Sequence, residues 1–274
     1  FNTKLYTGNG TTQSITGVGF QPDWTWVKER SSTSSHQIID AVRGYNRRLG
    51  SDNSNAESVD SSPYNDFKSI DSDGFTIGSG GGVNENSQTY ASWNWLGANG
   101  TAANTDGSIS STVSANTTSG FSIVSYTGNA TSGATIGHGL GVAPRMIIVK
   151  KLNGSFNWGI YHKDIGATKV LAFTTGSPDQ DTSYWNDTEP TSSVFSVGNG
   201  GLTNGSGSTM IAYCFADVQG FSKMGSYTGN GSADGPFCFN GFSPSFVMIK
   251  RSDMNSSGRW VLWDNKRNTF NLMD

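Results

Sequence analysis

The sequence has little charge, little proline and almost no cysteine. Charged residues make up 14% of its 274 residues, and there are seven prolines and two cysteines, Cys214 and Cys238. A small scaffold held by disulfides carries more cysteine in a shorter chain. The two cysteines could pair only if their Cα atoms come within about 7 Å, which the sequence leaves open.

Two further absences restrict the class of partner. The net charge is −3, whereas a nucleic-acid-binding surface needs an excess of basic residues. No apolar run approaches the roughly 18 residues of a membrane-spanning helix. We therefore expect no nucleic acid partner and no membrane insertion.

A sustained helical pattern is also missing, and the side chains instead follow the two-residue alternation of β-strands. In "DWTWVK", Trp24, Trp26 and Lys28 share one face, while Thr25 and Val27 share the other. Glycine, serine, threonine and asparagine, which favour turns, separate many short segments of this kind. Such a pattern predicts an all-β fold made of tandem antiparallel β-sandwich modules that are jelly-roll-like and about 100 residues long.

One turn sequence divides the chain. "LYTGNG" at Leu5–Gly10 returns as "SYTGNA" at Ser125–Ala130 and as "SYTGNG" at Ser226–Gly231. The pattern predicts module 1 at 1–97, a flexible or extended linker rich in Gly, Ser, Thr and Asn at 98–120, module 2 at 121–217 and a partial module 3 at 218–274. Module 1 is expected to move more freely than the other two. The remaining strands of module 3 would come from sequence beyond Asp274 or from another chain.

Within the turn, we expect the first glycine and the asparagine to need special backbone angles. Gly8 and Gly128 hold that glycine position, and glycine adopts positive φ at little cost. The last glycine of the turn is replaced by Ala130 in module 2, which indicates that this position is ordinary.

A lysine and an aspartate recur on the two strands after each turn. The pairs are Lys28 with Asp40, Lys150 with Asp164, and Lys250 with Asp264. A lysine beside a carboxylate could be a catalytic pair or a cross-strand ion pair. Because a repeat usually preserves what the fold needs, we interpret all three as structural ion pairs.

The residues give little sign of catalysis. The histidines do not stand at metal-ligand spacing, and no serine lies in a nucleophile elbow. We therefore expect no metal, no cofactor and no enzymatic activity. A pair of glycosidase carboxylates stays open among the acidic residues of module 1, which are Asp52, Glu57, Asp60, Asp66, Asp71 and Asp73.

Aromatic residues are the best candidates for ligand contact, because their faces can stack on sugar rings. Tyr184 and Trp185 lie in the polar segment "DQDTSYWNDTEP". Because their neighbours in the sequence are polar, we expect these two side chains to be exposed. Trp158 and Trp260 are further candidates. Tryptophans that alternate in strands, such as Trp24 and Trp93, are expected in the core.

Three stretches carry a resemblance to a known family. They are "GSISSTVSANTTSGFSIVSYTGNATSGATIGHGLGVAPRMIIVK" at Gly107–Lys150, "GFSPSFVMIKRSD…WVLWD" at Gly241–Asp264 and "DAVRG" at Asp40–Gly44. They resemble a repeated domain of uncharacterised function in virion and tail-fibre-like proteins of marine bacteriophages. The resemblance implies a structural or adhesive virion component and supplies no catalytic residues.

The function expected from all of this is a non-enzymatic fibre, tail or capsid-surface appendage that contacts the host surface, through glycans. Its partners would be other virion proteins, host glycans and further copies of itself, on the virion or outside the cell. Two alternatives stay open: a secreted bacterial carbohydrate-binding adhesin, and a polysaccharide depolymerase.

Overall fold

The structure, a computed structural model, describes residues 1–60, 66–176, 178–253 and 258–267. Over these residues the chain forms short β-strands and three single-turn helices, and the paired strands run antiparallel. The all-β class predicted from the sequence is confirmed. The strands are joined by the glycine- and asparagine-rich turns that the composition indicates.

Module 1 is a sandwich of two sheets. Its strands are β1 Asn2–Thr7, β2 Gln13–Thr16, β3 Trp24–Glu29, β4 Gln37–Asp40, β5 Arg47–Arg48, β6 Ser58–Val59, β7 Phe67–Asp71, β8 Gly74–Ile77 and β9 Thr89–Trp95. One sheet has the order β1-β9-β3-β4 and the other β2-β8-β7, while β5 pairs with β6. Ile15, Val27 and Phe75 belong to the buried cluster that these two sheets share.

Module 2 repeats this plan with ten strands where module 1 has nine. Its part of the chain contains β10 Ala102–Asn104, β11 Ser111–Asn116, β12 Phe121–Thr127, β13 Ala134–Gly137, β14 Met146–Lys151, β15 Gly159–His162, β16 Lys169–Val170, β17 Asp179–Gln180, β18 Val194–Val197 and β19 Thr209–Phe215. The large sheet has the order β10-β11-β12-β19-β14-β15, and β13-β18 and β16-β17 form two small sheets. Because Thr3 pairs with Trp93 and Ile123 with Tyr213, Trp93 and Tyr213 hold the same position in the two modules.

The segment predicted as a linker forms part of the large sheet of module 2. Within 98–120, β11 pairs with β12 over its whole length, from Asn116 opposite Phe121 to Ser111 opposite Tyr126. Ile109 and Val113 are buried in the core of module 2. Small polar residues surround these two apolar side chains and give the segment the composition of a linker. Its backbone nevertheless forms the edge strands of the sheet.

Three helices of four residues lie between strands. They are α1 Gly81–Asn84, α2 Thr182–Trp185 and α3 Gly201–Asn204. Helices α1 and α3 are equivalent in the two modules, and each ends on an asparagine that is fully buried.

Module 3 contributes one hairpin in the described residues, with β20 Phe246–Lys250 and β21 Trp260–Asp264. Phe246 pairs with Asp264 just as Trp24 pairs with Asp40. The hairpin therefore corresponds to β3–β4 and to β14–β15.

The three modules share one hydrophobic core, which contradicts the expected free movement of module 1. The ring of Trp24 lies 4.7 Å from that of Tyr213 and 5.7 Å from that of Phe121, both in module 2. Phe246 of module 3 packs 5.4 Å from Trp95 of module 1. Aromatic rings contribute large apolar areas to a core, so the sheet faces opposite the two sandwich cores hold the modules together.

Candidate functional site

The three predicted lysine–aspartate pairs are not formed. In module 1, Trp24 at the start of β3 lies opposite Asp40, and Lys28 lies four residues further along the strand. At about 3.3 Å per residue, the two charges stand roughly 13 Å apart along the sheet. The lysine and the aspartate do recur in the sequence, but the antiparallel pairing places them at opposite ends of the hairpin.

Each lysine instead donates to loop carbonyls. Lys150 Nζ donates to the carbonyls of Phe156 (2.6 Å) and Ser54 (3.1 Å), and so joins module 2 to a loop of module 1. Lys250 Nζ donates to Gly258 and Thr175, and Lys28 Nζ to Glu29 and Ser32. Burial lowers the pKa of Lys150 to about 8.

The aspartates pair with arginines three residues later and bind an aromatic residue of the next module. Asp40 contacts Arg43 Nε at 2.5 Å and accepts a hydrogen bond from Tyr213 Oη at 2.7 Å. Asp264 contacts Arg267 at 2.5 Å and accepts from Trp93 Nε1 at 3.0 Å. Since Tyr213 and Trp93 hold equivalent positions, the same contact joins module 2 to module 1 and module 1 to module 3.

Module 2 carries a different residue at this position. The partner of Met146 in the hairpin is His162, so His162 and not Asp164 corresponds to Asp40 and Asp264. Asp164 lies two residues further on, in the turn, and its side chain is partly exposed at 3.4 Å from Arg145.

A buried asparagine that sequence reasoning missed holds the recurring turn. Asn204 accepts from the backbone N–H of Asn129 at 2.8 Å and donates to the carbonyls of Gly198 (2.7 Å) and Thr131 (3.0 Å). Asn84 makes the same set of bonds to the turn of module 1. The signal in the sequence was the shared asparagine of "GGGVN" and "GGLTN", which lie 120 residues apart.

Backbone angles in the turn are the reverse of those expected. Positive φ occurs at the last position, at Gly10 (68°) and Ala130 (55°). Gly8 and Gly128 are needed for a different reason, because a Cβ on Gly128 would lie 2.5 Å from the carbonyl oxygen of Gly205. The first glycine therefore allows the turn to approach the loop that carries the asparagine.

Two of the four aromatic ligand candidates are buried and cannot stack on a ligand. Trp185 is 1% exposed and packs 5.9 Å from the ring of Tyr161 in the core of module 2. Trp158 is also 1% exposed and donates from Nε1 to the carbonyl of Gly50. The polar composition around Trp185 misled the prediction, because α2 turns this one side chain inward.

The other two candidates are partly exposed. Trp260 donates from Nε1 to the carbonyl of Ala172 at 2.8 Å and lies 5.3 Å from the ring of Phe173, so its contacts are structural. Tyr184 lies on the wall of a cleft of about 500 Å³ in module 2. A cleft of this size suits a small-molecule or short oligomeric ligand.

The cleft combines aromatic and polar groups. Tyr184 lines one part, and Phe156, which is 38% exposed, lines another beside Gly201. The polar residues around them are Asn157, Thr174, Asp179 and Ser183. The Lys151 Nζ atom lies 4.5 Å from the centre of the Phe156 ring. Burial, followed by the charges of Asp181 and Asp179, raises the pKa of Tyr184, so its hydroxyl stays a neutral donor at physiological pH.

The corresponding place in module 1 is filled by side chains. Arg48 forms an ion pair with Asp66, and Gln37 lies against the backbone at Gly82. In module 2 the position of Arg48 is held by Val170 and that of Gln37 by Gly159, because Leu49 bridges Ile38 as Leu171 bridges Ile160. Leu202 fills the space beside Gly159, so the cleft lies where Val170 replaces the longer side chain of Arg48.

A second cleft, of about 480 Å³, lies where module 1 meets the hairpin of module 3. It is lined by Lys28, Glu29, Arg30, Arg267 and Trp263, among others. Its charged residues have both signs, and the Asp264–Arg267 pair that joins the modules is part of its wall. We assign this cleft to the module junction.

Several kinds of site are not found in the described part of the chain. No group of three or more His, Cys, Asp or Glu residues there could hold a metal ion. No helix among these residues is long and apolar enough to cross a membrane. Cys214 is buried in β19 and Cys238 is exposed, and both are free thiols.

Strand order, shared cores and the open cleft define an all-β modular protein with a candidate ligand-binding site. The chain belongs to the family DUF7483, a domain of unknown function, whose profile matches residues 1–274. No curated protein and no solved structure matches it. The predicted membership of a family of uncharacterised function is thereby confirmed.

Proposed function

We propose that the protein is a non-enzymatic surface component that binds glycans through the cleft of module 2. The observation that carries the proposal is that two partly exposed aromatic side chains, Tyr184 and Phe156, line one concave site together with the polar groups Asn157, Asp179 and Ser183. Sugar rings offer apolar C–H faces to aromatic rings and hydroxyl groups to amides and carboxylates.

The sequence resemblance to virion and tail-fibre-like proteins of marine bacteriophages supports a place on a virus particle. In this proposal the protein is an appendage that contacts the host surface, assembled with other virion proteins and with further copies of itself. A secreted bacterial adhesin would use the same cleft. Mass spectrometry of purified virus particles and of the proteins secreted by the host distinguishes the two hypotheses. Only a virion component would co-purify with capsid proteins.

Three of the six candidate carboxylates of module 1 support a binding role over hydrolysis. Glu57 pairs with Arg43 and Arg47, and Asp66 pairs with Arg48. Asp73 accepts hydrogen bonds from the backbone N–H groups of Gly17 and Gly19. Each of these groups is engaged in holding a loop, whereas a general acid or base must be free to exchange a proton with a substrate.

Glycan binding is tested by Tyr184→Ala and Phe156→Ala against a panel of surface polysaccharides from candidate hosts. We expect each change to weaken binding about tenfold, because one aromatic contact contributes roughly 1 kcal/mol or more. The matched control is Tyr45→Ala, an aromatic residue of module 1 that is 43% exposed and lies outside the cleft. Binding that all three variants retain equally would place the glycan site elsewhere.

The depolymerase alternative is tested with the same polysaccharides. We expect no release of reducing sugar by the native chain. Release that Asp179→Asn abolishes would show that the cleft is catalytic and would refute the non-enzymatic part of the proposal.

A further inference from the structure

We propose that the cleft of module 2 selects glycan residues that carry a protonated amino group, and that Asp179 determines this preference. The inference rests on the proposed function, since it names the class of sugar that the same cleft takes. Among the described residues, Asp179 is the one charged side chain in the cleft wall. A concave wall with charge of a single sign concentrates the electric field on its ligand.

Strand pairing directs Asp179 toward the cleft and a neighbouring lysine away from it. Val170 of β16 lies opposite Asp179 of β17, and both line the cleft. Residues directly opposite each other in an antiparallel pair share one face, while the next residue along each strand points to the other face. Lys169 and Gln180 are those next residues, and neither lines the cleft. The register therefore keeps the ammonium group of Lys169 out of the site.

The charges close to the aromatic part of the cleft are mainly negative. Asp181 caps helix α2 and adds a second carboxylate. Burial, and then the charges of Asp181 and Asp179, raise the pKa of Tyr184, which is consistent with both carboxylates lying within electrostatic reach of its hydroxyl. Lys151 is positively charged, but its Nζ atom lies over the Phe156 ring, 4.5 Å from the ring centre, and Lys151 is not part of the wall.

The carboxylate of Asp179 is available to a ligand. Asp179 is exposed, and it takes part in none of the ion pairs found in the described part of the chain. An ammonium group has three hydrogen-bond donors and no acceptor, so a carboxylate suits it. A sugar acid would instead bring a like charge to the same place, and like charges repel.

Module 1 carries a cation where module 2 has none. Arg48 holds the position of Val170 and forms an ion pair with Asp66. The replacement of Arg48 by Val170 removes a positive charge from this place, so the negative charge of the wall is specific to module 2.

The test compares two oligosaccharides that differ only in acetylation, a hexamer of β-1,4-linked glucosamine and its N-acetylated form. Calorimetry with the 274-residue chain is done at low salt and about pH 5.5, where sugar amines are protonated. We expect the glucosamine hexamer to bind about fivefold more tightly, which is the upper range for one exposed ion pair. A hexamer of galacturonic acid should bind most weakly. The preference should shrink at about 0.5 M salt, because salt screens exposed charges.

Two variants separate the charge of the cleft from the charge of the whole chain. Asp179→Asn keeps the size of the side chain and removes its charge, so the preference should fall to about twofold or less. Asp187→Asn is the matched control, because Asp187 is also exposed in module 2 but lies outside the cleft. Its φ is 48°, an angle that asparagine tolerates. This control should keep the fivefold preference.

The inference is overturned if the native chain binds the two glucosamine-based hexamers equally or if Asp179→Asn keeps the full preference. It is also overturned if Asp187→Asn loses the preference, because net charge would then explain it. Binding of the acetylated hexamer that Tyr184→Ala weakens would uphold the proposed function even where the preference is absent. Failure of all three hexamers to bind would overturn the inference, while the panel of host polysaccharides decides the proposed function.

Discussion

The buried contact between modules 1 and 2 gives a quantitative prediction, that Arg43→Met destabilises the protein strongly. Asp40 is fully buried and faces Arg43 Nε at 2.5 Å, and the Arg43 side chain also lies 3.0 Å from Glu57. Methionine keeps most of the apolar stem but removes the charge. Asp40 would then be left in the interior without its cation, while Glu57 would keep its ion pair with Arg47.

The size of the effect follows from the burial of the partners. The Arg43 side chain is 3% exposed and that of Asp40 is fully buried. Removal of one member of a buried ion pair costs about 3–5 kcal/mol, because the remaining charge stays desolvated. Tyr213→Phe removes one hydrogen bond to the Asp40 carboxylate and leaves the ion pair, so we expect a smaller loss of about 1.5–3 kcal/mol.

The assay is urea denaturation followed by tryptophan fluorescence, with the free energy of unfolding obtained by linear extrapolation. Arg47→Met is the matched control, since Arg47 also contacts Glu57 at 2.5 Å but is 44% exposed. A pair with one exposed partner contributes about 0–1 kcal/mol. If Arg43→Met and Arg47→Met lower the free energy of unfolding equally, the argument from burial is wrong.

Two further predictions concern module 2. Asn204→Ala should lower the free energy of unfolding by about 2–4 kcal/mol, because it leaves the N–H of Asn129 and the carbonyl of Gly198 without their partner, whereas Ser206→Ala, on an exposed side chain of the same loop, should change it by less than about 0.5 kcal/mol. Burial lowers the pKa of Lys150 from 10.5 to about 8, so between these pH values the unfolded chain binds more protons at this residue than the folded one, and the contribution of Lys150 to the free energy of unfolding should rise with pH. Denaturation at pH 7.5 and pH 10 should therefore show that the free energy of unfolding of the native chain, minus that of Lys150→Met, increases with pH, and an equal change in both chains would contradict the assignment.

Local sequence pattern was enough to predict the strands and their repetition. The alternation in "DWTWVK" requires an extended backbone with two distinct faces, and the structure forms β3 there with Trp24 and Trp26 buried. The prolines before the strands and the glycine-rich turns limit where strands can begin and end. These signals act within a few residues, so they can be interpreted without knowledge of the partners.

The site predictions failed where strand register or tertiary packing decides the outcome. Lys28 and Asp40 recur together in the sequence, but only the register shows that they lie at opposite ends of a hairpin. Asp164 looks equivalent to Asp40 by its place in the sequence, while pairing with Met146 assigns that position to His162. A difference of two residues keeps the strand face and is therefore invisible to the alternation pattern.

The sequence also did not allow us to predict which single aromatic residues are buried. Trp185 and Tyr184 are neighbours in one polar segment, but a single turn of helix directs Trp185 into the core and Tyr184 toward the cleft. The ring that packs on Trp185, Tyr161, lies 24 residues away in the sequence. Contacts between segments distant in the sequence therefore determine which of the two aromatic side chains lines the cleft.

The arrangement of the modules bears on how the cleft at Tyr184 arose in module 2. Modules 1 and 2 each use one sheet face for their own sandwich core and the other for the core that all three modules share, so residues on both faces are constrained by packing. Val170 replaces the partly exposed Arg48 of module 1, lies in the core of module 2 and lines the cleft, whereas Leu202 fills the space beside Gly159. A repeated sandwich of this kind can change such residues one module at a time, and the cleft lies where a long charged side chain has been replaced by a shorter apolar one.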